Sequence, residues 1–383
     1  MSARFDVVIV GGRCAGAATA LLLARAGARV LVLDKGVYGS DTLSTHALMR
    51  GGVLQLQRWG VLPTLVAAGT PAVHSTTFDY ESQKVTVAIE PRHGVDALYA
   101  PRRKLLDRVL VDAAAAAGVE IEHGVRVEDV RVDEHGRVCG VVAGHRGTID
   151  ADLVIGADGL HSHIAARVGA PAVVESRNAT AALYSYWEGL TSDEFLWGFR
   201  ANAAIGIIPT NDGASCVFAS VPQPRFQEIR HDVPVAYRRW IRDAMPEIDA
   251  KLAGARMVEE IHGFGGHRGF IRRGVGPGWA LVGDAGYFKD PLTAHGISDA
   301  LRDAELLADA VAAGGDDALA EYERRRDALS VELFDTTEAI ASLEWDNAGL
   351  KSLHRRLSDA MKREVRAMAA LFDERGEPAR LGA

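Results

Sequence analysis

Cysteine is scarce: Cys14, Cys139 and Cys216 are the only three in a chain of 383 residues, and they lie far apart. That spacing offers neither a disulfide framework nor a metal-ligand cluster, and it suits a reducing cytoplasm. A basic excess is also missing. With 43 Lys and Arg against 51 Asp and Glu, the net charge of −8 argues against nucleic acid or an anionic membrane as partner. The longest apolar run, Cys14 to Ala24, falls short of the ~18 residues of a membrane span. The first residues, with Arg4 and Asp6 around a short apolar run leading into a glycine turn, are unlike a secretory signal. No internal repeat or low-complexity linker is visible. A globular chain of two or three packed units remains, for which 48% hydrophobic and 25% charged residues are ordinary values.

What is present starts with "FDVVIVGGRCAGAATALLLARAG" and continues into "ARVLVLDK". A continuous apolar strand, a glycine turn, a helix of small residues and a second apolar strand ending in Asp34 form a βαβ unit of dinucleotide-binding type. Gly11 permits the tight turn, and Gly16 lets helix and strand pack closely. The first-turn amides at Cys14 and Ala15 face a pyrophosphate, Asp34 accepts from an adenosine ribose, and Lys35 follows it. Arg13 stands where the second glycine is expected. Its guanidinium either adds positive charge beside the pyrophosphate or points to solvent.

Later segments extend this frame. "RRKLLDRVLVDAAAAAG" has helical spacing, and three short β-rich runs follow it. "ADLVIGADG" and "GWALVGDAG" read as buried strands that each run straight into a helix. Residues 176–267 carry alternating aromatic and β-branched runs, which predict an antiparallel sheet in a second domain joined by the β segment at 73–99. The expected division is a cofactor domain from 1–72, 100–175 and 268–315, a substrate domain from 73–99 and 176–267, and a helical segment from 316–383. The fold class is therefore α/β: a Rossmann-like domain with an interleaved antiparallel-sheet domain and a helical C-terminal segment.

"VIGADGLHSHIAARVG" resembles the Asp-Gly motif, and "ALVGDAGYFKDPLTAHGISDALRDAELLA" the Gly-Asp motif, of the flavoprotein monooxygenases related to p-hydroxybenzoate hydroxylase and the geranylgeranyl reductases. "PRRKLLDRVLVDAA" is similar to the family's Arg-x-x-Leu-Asp helix, so the resemblance spans most of residues 1–313. It implies FAD as cofactor. Arg103 or Arg102 would then reach the FAD phosphate or ribityl region, the backbone of Val127 would pass the adenine, and Gly283 and Asp284 would meet the ribityl chain. Asp158 would serve FAD and nicotinamide, although Ala165 replaces the arginine that usually closes that motif. Thr45, Pro291, Gly296 and Ile297 complete the implied cofactor contacts. Independently of the family, the turn before a helix near Gly296 places N-terminal amides where they stabilise a reduced flavin.

His46 and His295 are candidate proton shuttles, with hydrogen-bonding wall residues as the favoured alternative. Tyr184, Tyr186, Trp197 and Pro209 are candidate substrate-pocket residues, with plain sheet packing as the alternative. The resemblance implies a monooxygenase that hydroxylates a small aromatic or polyene substrate with NADH or NADPH and dioxygen, through a flavin hydroperoxide. A reductase of geranylgeranyl type and a non-catalytic flavin-binding protein are the competing readings. A halogenase is disfavoured because Ala204 and Gly206 stand where a Trp-x-Trp-x-Ile-Pro signature would need tryptophans before Ile208-Pro209. The glycines of "HGFGGHRGFIRRG" lack the strand-turn-helix context of a second nucleotide turn, so no separate NAD(P)H domain is expected. A monomer or homodimer is expected.

Overall fold

The computed structural model describes residues 4–375 apart from 191 and 231. Arg4–Val10 is the centre of the first sheet because its side chains are apolar on both faces. It pairs in parallel with Val30–Asp34 on one side and Gly147–Gly156 on the other. Glu120–His123 and Trp279–Leu281 extend the parallel order outward, and a meander of Val127–Val132 and Val138–Ala143 joins antiparallel onto Gly147–Gly156. Helices Cys14–Arg25, Arg103–Ala116 and Gly296–Ala313 cover one face through Leu21, Leu106, Leu110, Leu301 and Leu307.

The second sheet runs Arg256–Met257, Thr180–Glu188, Ala214–Pro222, Ala203–Pro209, Phe195–Arg200, Ser75–Asp79 and Lys84–Ala88. It is not wholly antiparallel as expected, because Ser75–Asp79 lies parallel to Phe195–Arg200. That hairpin enters from the first sheet instead of from its neighbour in sequence, which frees its direction. Strand alternation divides the side chains between two cores. Trp187, Ile205, Val217 and Val221 pack on the helices Val233–Ala244 and Pro246–Ala253. Tyr184, Tyr186, Phe199, Ile208 and Phe218 face the long helices Gly315–Ala341 and Asn347–Arg375 and the turn at Leu292–Ala294.

The chain thus crosses between the two sheets four times, at 34–75, 88–120, 156–180 and 264–275. One expectation fails at Trp279–Leu281. A 3-10 turn at Gly283–Ala285, the short strand Tyr287–Phe288 and a second 3-10 turn at Pro291–Thr293 separate it from its helix. The strand Gly147–Gly156 is likewise followed by a turn, and only the short helix His163–Arg167 comes after it. These interposed turns put backbone, not helix side chains, at the ends of the parallel strands, where ligands bind in open α/β sheets. No described helix is long and apolar enough to cross a membrane.

Candidate cofactor and substrate site

At the end of the first strand Gly11 has φ +105°, and a Cβ there would sit 2.4 Å from the Ala157 carbonyl oxygen. A Cβ on Gly16 would sit 1.9 Å from the Gly11 oxygen, so neither position accepts a side chain without moving backbone. Asp34 locks this turn: its Oδ2 accepts from Gly12 N at 2.5 Å and its Oδ1 from Gly36 N at 2.6 Å. Arg13 has ordinary extended dihedrals at the helix N-cap. Its guanidinium donates to Asp107 Oδ2 at 3.2 Å, to the Ser40 hydroxyl at 3.2 Å and to the Asp41 carbonyl at 3.3 Å. The side chain is therefore stapled across the mouth of a cleft lined by Gly12, Asp34, Ser40, Asp107 and His123, and does not run out into water.

Asp107 was not singled out by sequence reasoning, although it is the Asp of the Arg-x-x-Leu-Asp pattern. It accepts from Cys14 N at 3.2 Å and from the Arg103 guanidinium at 3.1 Å, so it joins the glycine-turn helix to the Arg103 helix. Burial pushes the Cys14 thiol up to about 11, which makes it a packing group. Lys35 is exposed and Thr45 half-buried at the two ends of the loop that closes the cleft. Val127 opens a strand two residues beyond Val125, whose N–H donates to the Asp34 carbonyl at 3.0 Å.

The second motif meets the first at Gly283, where a Cβ would lie 2.9 Å from Ala15 Cβ. Beside it the Asp284 carboxylate has no hydrogen-bond partner among the described residues, and burial raises it to about 6 despite Arg103 and Lys289. An unpartnered carboxylate at this junction suits a hydroxyl-bearing ligand. Pro291 is exposed, Ala294 takes the left-handed conformation with φ +50°, and Gly296 and buried Ile297 begin the helix. Asp158 is engaged locally: it accepts from the Ser162 hydroxyl at 2.5 Å and from His163 N at 2.7 Å at the head of helix His163–Arg167. Around His295 lies a buried set of Lys289, Asp299, Arg302, Asp303 and Glu364. Lys289 pairs with Asp299, and Arg302 bridges Asp303 at 2.7 Å and Glu364 at 2.9 Å.

Arg102, expected like Arg103 near the cofactor, turns away from the Arg103 helix. Its backbone extends with ψ 138°, so the side chain leaves the Arg103 helix and lies 3.6 Å from the Tyr186 ring centroid, bound to Glu259 at 2.8 Å and Asp41 at 3.0 Å. Beyond it, His46 Nδ1 lies 3.1 Å from the Ala100 carbonyl and Nε2 lies 3.0 Å from the Tyr186 hydroxyl. A carbonyl only accepts, so Nδ1 carries the hydrogen and Tyr186 donates to Nε2. Burial and Arg102 push the His46 imidazole down to about 3. An imidazole held by these two hydrogen bonds and kept neutral matches the expected wall role more closely than the shuttle role. Tyr184 accepts from Ser44 N at 3.1 Å, Trp197 donates to the Thr76 hydroxyl at 3.0 Å, and Pro209 is buried just before Thr210, which donates to the Ala100 carbonyl. At Gly206 a Cβ would strike the Phe218 ring at 2.0 Å, so the phenyl group fills the space a halogenase-type tryptophan would need.

A family model described as FAD binding domain matches residues 4–337. The chain belongs to this family. Its relatives include a digeranylgeranylglycerophospholipid reductase from Methanococcoides burtonii, 28% identical over 85% of this chain and 80% of the relative. A tryptophan 2-halogenase from Chondromyces crocatus is 23% identical over 80% of this chain and 60% of its own length. Among solved structures, the Pseudomonas aeruginosa protein PqsL in complex with 2-aminobenzoylacetate has a TM-score of 0.77 at 21% identity, covering 94% of this chain and 100% of that one. The protein is thus an FAD-dependent oxidoreductase with the fold expected from its motifs. Its residues fit that cofactor: the glycine turn is closed to side chains, and beside it Asp284 offers a carboxylate with no hydrogen-bond partner among the described residues.

Proposed function

We propose that the protein is an FAD-dependent monooxygenase that hydroxylates a small aromatic or polyene substrate using NAD(P)H and dioxygen. The supporting observation is the buried His46–Tyr186–Arg102 cluster, set in an aromatic wall on the sheet face that looks toward the turn at Leu292–Ala294. A few convergent polar groups in an apolar wall suit a compact substrate carrying a hydroxyl or amine. The strands of 73–99 and 176–267 supply this substrate side, while Gly11, Gly16, Arg13, Arg103, Asp34 and Asp284 would surround the cofactor.

Bound FAD would supply the redox chemistry, taking electrons from NAD(P)H and passing them to dioxygen. The chain's own residues do the rest. Tyr186 keeps its proton, since burial pushes the phenol well above its ordinary value, and donates it to His46. Arg102 lies over the Tyr186 ring with its charge balanced by Asp41 and Glu259, which holds the phenol in place facing His46. The helices Gly315–Ala341 and Asn347–Arg375 cover this face and exclude water.

A second reading, an FAD-dependent reductase of isoprenoid double bonds, is favoured by the reductase relatives and by Leu333, Ile340, Leu343 and Leu350, which line the same core with aliphatic groups. One assay separates the two. NADH, NADPH and oxygen consumption is followed with phenols, indoles and polyenes under labelled dioxygen. Substrate-stimulated uptake with label in the product supports the monooxygenase; substrate reduction without label supports the reductase.

A further inference from the structure

From Lys35 to Thr45 no residue is buried, and Val37 and Leu43 stand 75% and 52% exposed, so core packing does not fix this segment. Its ends are pinned. The Gly36 carbonyl accepts from Gly124 N at 3.0 Å, and just past the far end His46, with φ +47°, is tied to Ala100 and Tyr186. Between the ends, the one backbone hydrogen bond among the described residues is internal, from Ser40 N to the Val37 carbonyl at 3.1 Å. Polar contacts hold the rest down: Tyr38 donates to Asp112 at 2.5 Å, Ser44 N donates to the Tyr184 hydroxyl at 3.1 Å, and Arg13 donates to the Ser40 hydroxyl at 3.2 Å.

Two arginines meet at Asp41: its carbonyl accepts from Arg13 at 3.3 Å and its Oδ2 from Arg102 at 3.0 Å. The Arg102 side chain is 5% exposed and has a second partner, the Glu259 carboxylate at 2.8 and 2.9 Å, whereas Asp41 is 37% exposed. That asymmetry makes the Asp41 contact easy to break. When Asp41 leaves, its carboxylate passes into water and Arg102 keeps Glu259, so no buried charge is left unpaired. Val37, Gly39 and Ser40 of the same segment line the cleft beside Gly12 and Asp34. The cleft holds about 20 Å³, room for about one water molecule and not for the ribose that the family resemblance puts on Asp34. Of its walls, the glycine-turn helix and the helix Arg103–Ala116 are anchored in the core, and the segment is not.

We propose that residues 36–45 form a strap that lifts to admit FAD and closes over it, with the Asp41–Arg102 contact as its latch. The passage of FAD rests on the cofactor assignment; the latch does not. Hydrogen exchange of the full-length apoprotein reads the latch alone. Asp41→Asn, which keeps the carbonyl bond to Arg13, is expected to speed exchange within 36–45 about two- to fivefold, the factor a partly exposed ion pair supplies. Unchanged exchange overturns the latch. Glu259→Gln has the opposite sign: lifting Asp41 then strands the Arg102 charge, so exchange is expected to slow. Faster exchange in that variant contradicts the latch.

Stopped-flow fluorescence with FAD reads the passage. A strap acts on entry and exit alike, so Asp41→Asn is expected to raise the association and dissociation rates by the same factor of about two to five, leaving Kd nearly unchanged. Glu259→Gln is expected to lower both. A rise in the dissociation rate alone in Asp41→Asn would make Asp41 a ligand contact and overturn the strap. Protein that takes up no FAD refutes the passage, while exchange in the apoprotein still decides the latch.

Discussion

Single residues carry the sharpest consequences at Gly16, Asp284 and Tyr186. Gly16→Ala drives a Cβ into the Gly11 carbonyl; the expected outcome is a loss of about 1–3 kcal/mol in denaturant unfolding together with loss of flavin uptake. Asp284 titrates near 6 when folded, against an ordinary value of 3.8. The unfolded chain therefore gives up this proton first, and the ionised carboxylate favours unfolding. Its cost grows as pH rises from about 4 to about 6 and is constant above. Asp284→Asn is expected to stabilise the apoprotein by on the order of 1 kcal/mol at pH 7, to change little at pH 4, and to weaken FAD binding, as melts at both pH values and a flavin titration would report. Tyr186→Phe leaves His46 Nε2 without its donor, and a cost of about 1–3 kcal/mol is expected in urea unfolding. The glycines were legible because a tight turn demands them at fixed spacing, and Asp284 because it stands in a motif resembling that of the family. Asp107, Asp41, Glu259 and Glu364 were not, because each is defined by a partner distant in sequence. Asp107 alone had a signal, its place in the Arg-x-x-Leu-Asp helix.

At the scale of elements, the segment from Gly36 to Ala47 borders the cleft beside the glycine turn without helix or strand of its own. Arg13 grips it from the glycine turn through Ser40 and Asp41, and Arg102 grips Asp41 from the side of the Tyr186 sheet. The question of whether Arg13 breaks a dinucleotide turn thus has a physical answer: its backbone keeps the turn and its side chain clamps a neighbouring loop. Arg13→Gly is expected to keep the fold and to raise protease cleavage within 36–47 severalfold, since the local opening energy falls with the lost contacts; an unchanged cleavage rate would show that the clamp is idle. The βαβ unit and the long helices after Gly315 were readable from continuous apolar runs and helical spacing. The parallel pairing of Ser75–Asp79 with Phe195–Arg200 was not, because strand direction depends on where the chain re-enters the sheet and leaves no mark in the strand itself.

For the molecule as a whole, two large sheets, a small three-stranded one and a helical cover bring the FAD-family turns and a polar, aromatic sheet face to the same region, although the chain shuttles between the large sheets. Motif order made the cofactor half recognisable, since phosphate and ribityl contacts constrain backbone. The half proposed to receive substrate is built from strand alternation and late helices, which fix a wall but not the molecule it would receive. The central claim is that this wall serves oxygen insertion. Turnover of purified, FAD-loaded protein with NAD(P)H under isotopically labelled dioxygen tests it most directly. The account predicts substrate-stimulated oxygen uptake with one labelled oxygen atom in the product; substrate turned over anaerobically at the same rate, with no label incorporated in air, would contradict it.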